Sequence, residues 1–459
     1  MSLRTLSARQ RNVALALVGL AIFAIFFPAR SAVRHDHINT FLALATLQAL
    51  LCLFAAALIW NTKSTRTTLL LVLGIGALLR LSLLWETPKL SDDVYRYVWD
   101  GRVQAAGINP YRYIPADPHL VFLRDDAIYP HINRRDYAPT IYPPMTQMIF
   151  RAVHQVTGSV AGFKACLLGF EAITIWALAR LLTSFGLPRE RVLIYAWNPL
   201  VVWEFSGSGH IDAAMIAFVA LALLTRRGGR DTLTGVLLGA AVLTKFYPIV
   251  LLPALYRRRD WKMPLAAAMT FCLGYLAYLS AGRQVVGFLS TYADEEGIRS
   301  GRYFLLLFVR LICGGAEIPA SLYFLFVFAV LAAIAGRALF HWNERDGGFL
   351  LSAGLLGLAF TFLLSPQFAW YWSWLVPFLA FLPLPAMRPF FLLTLAALVH
   401  YATWFDDWRL GLHPHLALCF LQLIPAGLLL AFIRLRRHRC ALRPSALGLN
   451  PASHYARSR

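Results

Sequence analysis

Asp92 and Asp93 open a polar, aromatic-rich stretch, Ser91–Tyr113, that reads SDDVYRYVWDGRVQAAGINPYRY directly after an apolar run. Two adjacent acids where a helix leaves a membrane sit at the water interface. A carboxylate in that position suits a general base acting on a sugar hydroxyl. Tyr95, Arg96, Tyr97, Trp99, Asp100 and Arg102 follow at once. Aromatic faces and acids suit a sugar ring, and guanidinium groups suit a phosphate. The plainer alternative is that Ser91 and the acids only cap a helix N-terminus.

A second constellation, NPLVVWEFSGSGHID over Asn198–Asp212, holds Glu204, His210 and Asp212 in a predominantly apolar stretch. Ionisable residues at membrane depth are functional candidates, although a hydrogen-bond network that stabilises a turn would serve as well. A metal would need a further ligand at credible spacing. None lies nearby, so no metal and no obligatory cofactor is expected. Lys245, in LTKFYP, calls for an anion, with a lipid phosphate the obvious one; snorkelling to the interface is the alternative. The reading expects Lys245 to stay available for phosphate rather than permanently paired in protein. Gln367 and Tyr371, in SPQFAWYW, could touch a sugar or prenyl group, though interfacial belts explain such aromatics without a ligand. Glu171 is a buried acid without an assigned role, and Asp294-Glu295-Glu296 reads as a solvated loop.

These groups must be positioned by membrane helices. Hydrophobic residues make up 59% of 459, and mean hydropathy is +0.59. Apolar runs fall near 13–29, 38–60, 67–85, 159–185, 263–281, 318–340, 347–365, 368–386, 389–405 and 415–433. Between 191 and 258 lie four shorter arms, read either as two hairpins or irregular helix pairs with tips at Gly207–His210 and Lys245–Pro248 that line a cavity, or equally as tilted full spans. The expected fold is all-α, a polytopic bundle of about 11–13 spans in one membrane domain. Residues 86–158 form its large external loop, with an amphipathic helix over 92–106 lying at the interface, and 434–459 form a basic cytoplasmic tail.

The net charge of +20 would fit nucleic acid, but its distribution argues otherwise. Arg4, Arg9 and Arg11, then Lys63 and Arg66, Arg189 and Arg191, Arg226, Arg227 and Arg230, Arg257–Arg259 with Lys262, and Arg434–Arg439 all fall on one side if the spans alternate. That is the cytoplasmic pattern, with both termini inside, and it implies contact with membrane lipid rather than nucleic acid. The six cysteines are scattered and suggest neither disulfides nor metal. The first apolar run, with bulky Phe26 and Phe27 near its end, reads as an uncleaved span rather than a signal peptide.

In order, SDDVYRYVWDGRVQAAGINPY, TIYPPMTQ, NPLVVWEFSGSGHID, LTKFYP and SPQFAWYWSWLVPF resemble the integral-membrane C-type glycosyltransferases over about residues 65–405. Within them the chain looks like bacterial polyprenyl-phosphate-mannose-dependent α-mannosyltransferases, including the family-87 group. It is more distantly similar to the mannosyltransferase of glycolipid-anchor assembly. The resemblance implies an inverting transferase that moves a hexose, most often mannose, from a polyprenyl-phosphate carrier to a glycolipid or polysaccharide acceptor on the periplasmic or external face. It puts the catalytic acid at Asp93 or Asp92. Two departures stand out. The familiar Asp-x-Asp spacing would put its second acid at Val94, and more than one span precedes the motif loop where many relatives have one. Donor phosphate and sugar contacts are expected from Arg96, Arg102, Tyr95, His210, Asp212, Lys245, Gln367 and Tyr371. The competing class is a transporter or flippase of a lipid-linked sugar, which would show related halves and mid-span charges. No related halves are visible here, and the acids lie at the interface.

Overall fold

A computed structural model describes residues 6–403, apart from 64, 298–303, 316–317, 341–346 and 365–367, together with residue 423. Gln367, the run read at 415–433 and the basic tail therefore lie outside the described residues. Three long helices come first. α1 (Ala8–Arg34) starts on a capping box between Ser7 and Gln10, α2 spans Ile38–Ile59, and α3 (Arg66–Leu84) is capped by Thr65. α4 (Asp93–Ala105) and α5 (Pro144–Val156) pack together between α3 and α6 (Val160–Ser184). The chain then breaks into short pieces: α7 (Leu193–Ala196), α8 (Pro199–Val202), a π-helical turn (Trp203–Gly207), α9 (Asp212–Arg227), α10 (Asp231–Thr244), a 3-10 turn (Tyr247–Leu251) and α11 (Leu252–Leu255). The remaining helices are α12 (Lys262–Leu276), α13 (Leu289–Glu295), α14 (Phe304–Ile312), α15 (Ala320–Phe340), α16 (Gly348–Leu364), α17 (Trp370–Ser373), α18 (Val376–Leu379) and α19 (Leu384–Ala396).

The described residues contain no strand. Among the described residues, six helices are long and apolar enough to cross a membrane, or up to seven if the bent pair Lys262–Leu276 and Leu279–Glu295 counts as one span. The protein is thus an all-α, multi-pass membrane bundle. Full-length spans are fewer than the apolar runs, and the reason is local. The run at 368–386 is interrupted between α17 and α18. The arms at 192–205 and 248–256 are broken at Asn198-Pro199 and Leu252-Pro253, where proline sits in the first turn of a new helix and cannot continue the previous one.

The two arm pairs are hairpins whose open ends meet. Arg226 donates to the Leu255 carbonyl at 2.6 Å, Arg227 to Ser184 at 2.9 Å, and Arg191 to Trp60 at 3.0 Å. Their basic groups thus gather at one end of the bundle. The tips reach toward α4 at the other end, where Arg30 and Arg34 pair with Glu86 and Lys164 donates to the Leu83 carbonyl at 2.8 Å.

α4 does not lie on a surface as an amphipathic helix. Ten of its thirteen residues are buried, from Val94 round to Gln104. Gly101 permits this, because a Cβ there would stand 2.5 Å from the Phe150 carbonyl of α5. The polar residues on the inward faces are paired. Arg96 meets Asp100 at 2.8 Å, and Gln104 donates to Gln147 at 2.9 Å. A loop over 106–143, with 3-10 turns at Pro118–Leu123 and Tyr129–His131, covers the outer side.

Candidate active site

Asp92 and Asp93 stand at the start of α4, but neither carboxylate caps it. Asp92 makes no side-chain cap bond, and the Asp93 amide donates instead to Ser91 Oγ at 3.3 Å. Both carboxylates are held from above by one amide. Asn133 Nδ2 donates to Asp92 Oδ1 at 2.9 Å and to Asp93 Oδ1 at 2.7 Å. Asp92 is exposed, whereas the Asp93 side chain keeps only 18% of its surface. Burial and the neighbouring Asp92 charge push the Asp93 carboxyl above the usual carboxylate range, while Lys245, Asn133 and Arg134 pull it back. The result is a carboxylate of strengthened basicity facing an open space.

That space is a cavity of about 910 Å³. Asp92, Asp93, Asn133 and Arg134 line it together with Lys245, Tyr247, Trp370 and Tyr371. Tyr292 and Glu296 close it beside Arg134. Its remaining lining includes Phe246, Ile249, Phe324, Phe360 and Leu364. Ile249 is 48% exposed, so this apolar part reaches the outer flank of the bundle.

The second hairpin delivers Lys245 because α10 ends at Thr244 and Lys245 turns to extended backbone before Tyr247-Pro248. Its ammonium lies 2.8 Å from Asp212 Oδ2 and 4.8 Å from the centre of the Tyr371 ring. Tyr247 Oη donates to the other Asp212 oxygen at 2.9 Å. The lysine therefore faces the cavity already paired, against the expectation that it waits free for an anion. A buried ammonium with no anion in reach would be too costly in the resting protein. Asp212 itself is fully buried behind it.

The first hairpin delivers His210 differently. Gly209 takes a left-handed φ of +79°, and a Cβ there would come within 3.0 Å of Val94 in α4 and Lys164 in α6. His210 is fully buried and lies outside the cavity lining, between Asp93 and Glu204. The structure thus does not offer it as a phosphate contact.

Arg96 does reach the cavity lining, but it is engaged by Asp100 and by the Ala138 carbonyl at 3.1 Å. Arg102 sits away from the cavity, paired with Asp125 at 2.6 Å, and the Tyr95 ring packs at a tilt against His131 with centroids 4.7 Å apart. Both contact the loop over 106–143 and lie outside the cavity lining. Glu171 is half of a buried pair with Arg80 at 2.6 Å.

Residues 295 and 296 are not a free solvated loop. Arg134 reaches Glu295 at 2.8 Å and Glu296 at 3.4 Å. Burial first, then the Glu295 and Asp93 charges, push the Glu296 carboxyl up to about 7 against the pull of Arg134. Asn133, Arg134 and Tyr292 were not singled out from the sequence. The polar run Asn133-Arg134-Arg135-Asp136, inside the loop that follows the acids, was the available signal. Among the described residues, no group of three or more His, Cys, Asp or Glu side chains is arranged to hold a metal.

A family model described as "Alpha-(1->6)-mannopyranosyltransferase, N-terminal domain" matches residues 14–257. An alpha-(1->6)-mannopyranosyltransferase A of Mycobacterium tuberculosis is 24% identical over 369 residues, 70% of this chain and 66% of the relative. The protein of the same name from Corynebacterium glutamicum is 26% identical over 178 residues, 37% of this chain and 35% of the relative. The chain thus spans slightly less than two thirds of the first relative's length and about a third of the second's.

Proposed function

Because the chain belongs to the α-(1→6)-mannopyranosyltransferase family, we propose that it transfers a mannosyl residue from a polyprenyl-phosphate carrier to a glycan or lipid acceptor, with inversion, at the non-cytoplasmic face. The observation that carries this reading is that Asp93 and Lys245 both line one cavity with an apolar flank. A prenyl chain can lie along Phe246, Ile249, Phe324 and Phe360, and its phosphate then meets the Lys245 wall. The sugar stands between phosphate and carboxylates.

In this reading Asp93 takes the proton of the acceptor hydroxyl as that oxygen bonds to the anomeric carbon. The bond from that carbon to the phosphate oxygen breaks on the opposite side. Polyprenyl phosphate leaves with the bonding electrons, its charge met by Lys245. Fixed cations aimed at a developing phosphate charge are the larger source of rate, and the positioned base adds about 10²–10⁴-fold. Asp93 is preferred over Asp92 because burial raises its basicity, whereas Asp92 is exposed and shares Asn133.

The test is transfer from a synthetic polyprenyl-phosphate mannose by the full chain in lipid nanodiscs. Asp93→Asn is expected to lower kcat by at least about 100-fold, and Asp92→Asn by much less. Full activity in both variants removes the base assignment. Absence of transfer by the unaltered protein removes the donor.

A further inference from the structure

His210 takes no part in the reaction just described, yet it sits fully buried beside Asp93. Its ring stacks on Trp370 with centroids 4.2 Å apart. Nδ1 lies 3.7 Å from Asp93 Oδ2, and Nε2 lies 3.3 Å from Glu204 Oε2. Behind Glu204, Tyr401 Oη stands 2.9 Å from each carboxylate oxygen. His210, Glu204 and Tyr401 are all fully buried, and neither ring nitrogen completes a hydrogen bond. Burying such a group carries a desolvation cost. Of its two carboxylate neighbours, Asp93 alone lines the cavity.

The local backbone is shaped for this placement. The π turn Trp203–Gly207 carries Glu204, the His210 amide donates to the Glu204 carbonyl at 3.0 Å, and left-handed Gly209 lies between them. Such π turns recur at functional sites.

We propose that His210 is a positioning residue for Asp93, the last donor in a buried chain that runs Tyr401, Glu204, His210, Asp93. A neutral imidazole has one N–H and one acceptor nitrogen. With the N–H on Nδ1, it points at Asp93, and Nε2 accepts from a proton on Glu204, whose other oxygen accepts from Tyr401. Every proton in the chain then points toward Asp93. At rest the Nδ1 contact is longer than a hydrogen bond, and such contacts tighten when substrate engages the base. Asn133 holds Oδ1 and His210 holds Oδ2, so the plane of the carboxylate is fixed from two sides. No proton needs to leave through this chain, because Asp93 is open to the cavity.

This inference rests on the transferase reading, and the experiment separates the two. Transfer from polyprenyl-phosphate mannose is measured for the full-length protein in nanodiscs. Activity of the unaltered protein and its loss in Asp93→Asn test that reading alone. His210→Phe keeps a ring on Trp370 and removes the donor. It is expected to lower kcat about 100-fold, with both KM values unchanged within about twofold. His210→Gln restores an N–H and is expected to recover about tenfold of that loss. Unchanged kcat in His210→Phe, or a loss that appears in KM, overturns the proposal.

If His210→Phe does not fold, His210→Gln and Tyr401→Phe decide by a double-mutant cycle. Tyr401→Phe should lower kcat about three- to tenfold alone and add nothing further in the His210→Gln background. Full additivity overturns the chain.

Discussion

The two hairpin tips each bring one basic side chain to the same end of the bundle, and the fold treats them in opposite ways. Lys245 lines the cavity and keeps 10% of its side chain exposed, while its charge is offset by Asp212 at 2.8 Å. His210 has two carboxylates around it and no contact with the cavity. A group that stays charged needs a counter-ion at rest and can exchange it for a ligand phosphate. A group that can be neutral can be sealed in and act only through its neighbour. On the proposed reading, the chemistry of the side chain decides which of the two tips meets substrate and which supports the base.

The largest effect should come from breaking the Lys245 tip. Lys245→Met is expected to lower kcat/KM for the donor by about 10²–10³-fold, the size of losing one fixed charge on a leaving group. It also leaves Asp212 buried and unpaired, at about 3–5 kcal/mol of stability. Adding Asp212→Asn should restore thermal stability in a melting assay and leave transfer impaired. Recovery of transfer in the double variant would make Lys245 a structural group and dissolve the contrast between the tips.

A pH profile sharpens the same contrast. Burial and Asp92 hold the Asp93 carboxyl high, and Lys245 lowers it. A general base works ionised, so the rate falls as pH drops through the Asp93 pKa. In Lys245→Met that pull is lost, the pKa rises further, and the acid limb of kcat/KM is expected to move to higher pH. His210→Gln keeps Lys245 in place and should leave the limb closer to that of the unaltered protein. A limb that stays put in Lys245→Met means that Asp93 is not the group being titrated.

The helices were legible because their signals are local. Long apolar runs mark α1, α3 and α6 without reference to anything distant. Both hairpin tips were legible for a related reason, since glycine and proline interrupt apolar arms too short to span. The partners were not legible. Arg102 and Lys245 look equally available in sequence, yet Asp125 takes the first out of the site and Asp212 holds the second at its wall. Arg134 was missed because its value comes from Glu295 and Glu296, more than 150 residues away in the chain. Charge pairing across such separations leaves no period or spacing to read. The burial of α4 was missed in the same way, because Gly101 matters only once the Phe150 carbonyl is known to lie against it.

The smallest expected effect comes from one hydroxyl at each tip, and it separates them most cleanly. Tyr247 donates to Asp212 at 2.9 Å, and its ring is held edge-on to Trp374 at 4.9 Å. Tyr247→Phe therefore keeps the packing and removes one hydrogen bond to a charged acceptor, worth about 1.5–3 kcal/mol of stability. Asp212 is then left to Lys245 alone, the pair tightens, and phosphate competes for the ammonium less well. The donor KM should rise by less than about tenfold, with kcat nearly unchanged. At the other tip Tyr401→Phe removes an equivalent hydroxyl from Glu204, which never touches the donor, so kcat should fall while KM holds. Steady-state kinetics on the two Tyr→Phe variants decides the matter. The same signature in both would mean that the tips share one role, and that the burial of His210 is packing rather than support for the base.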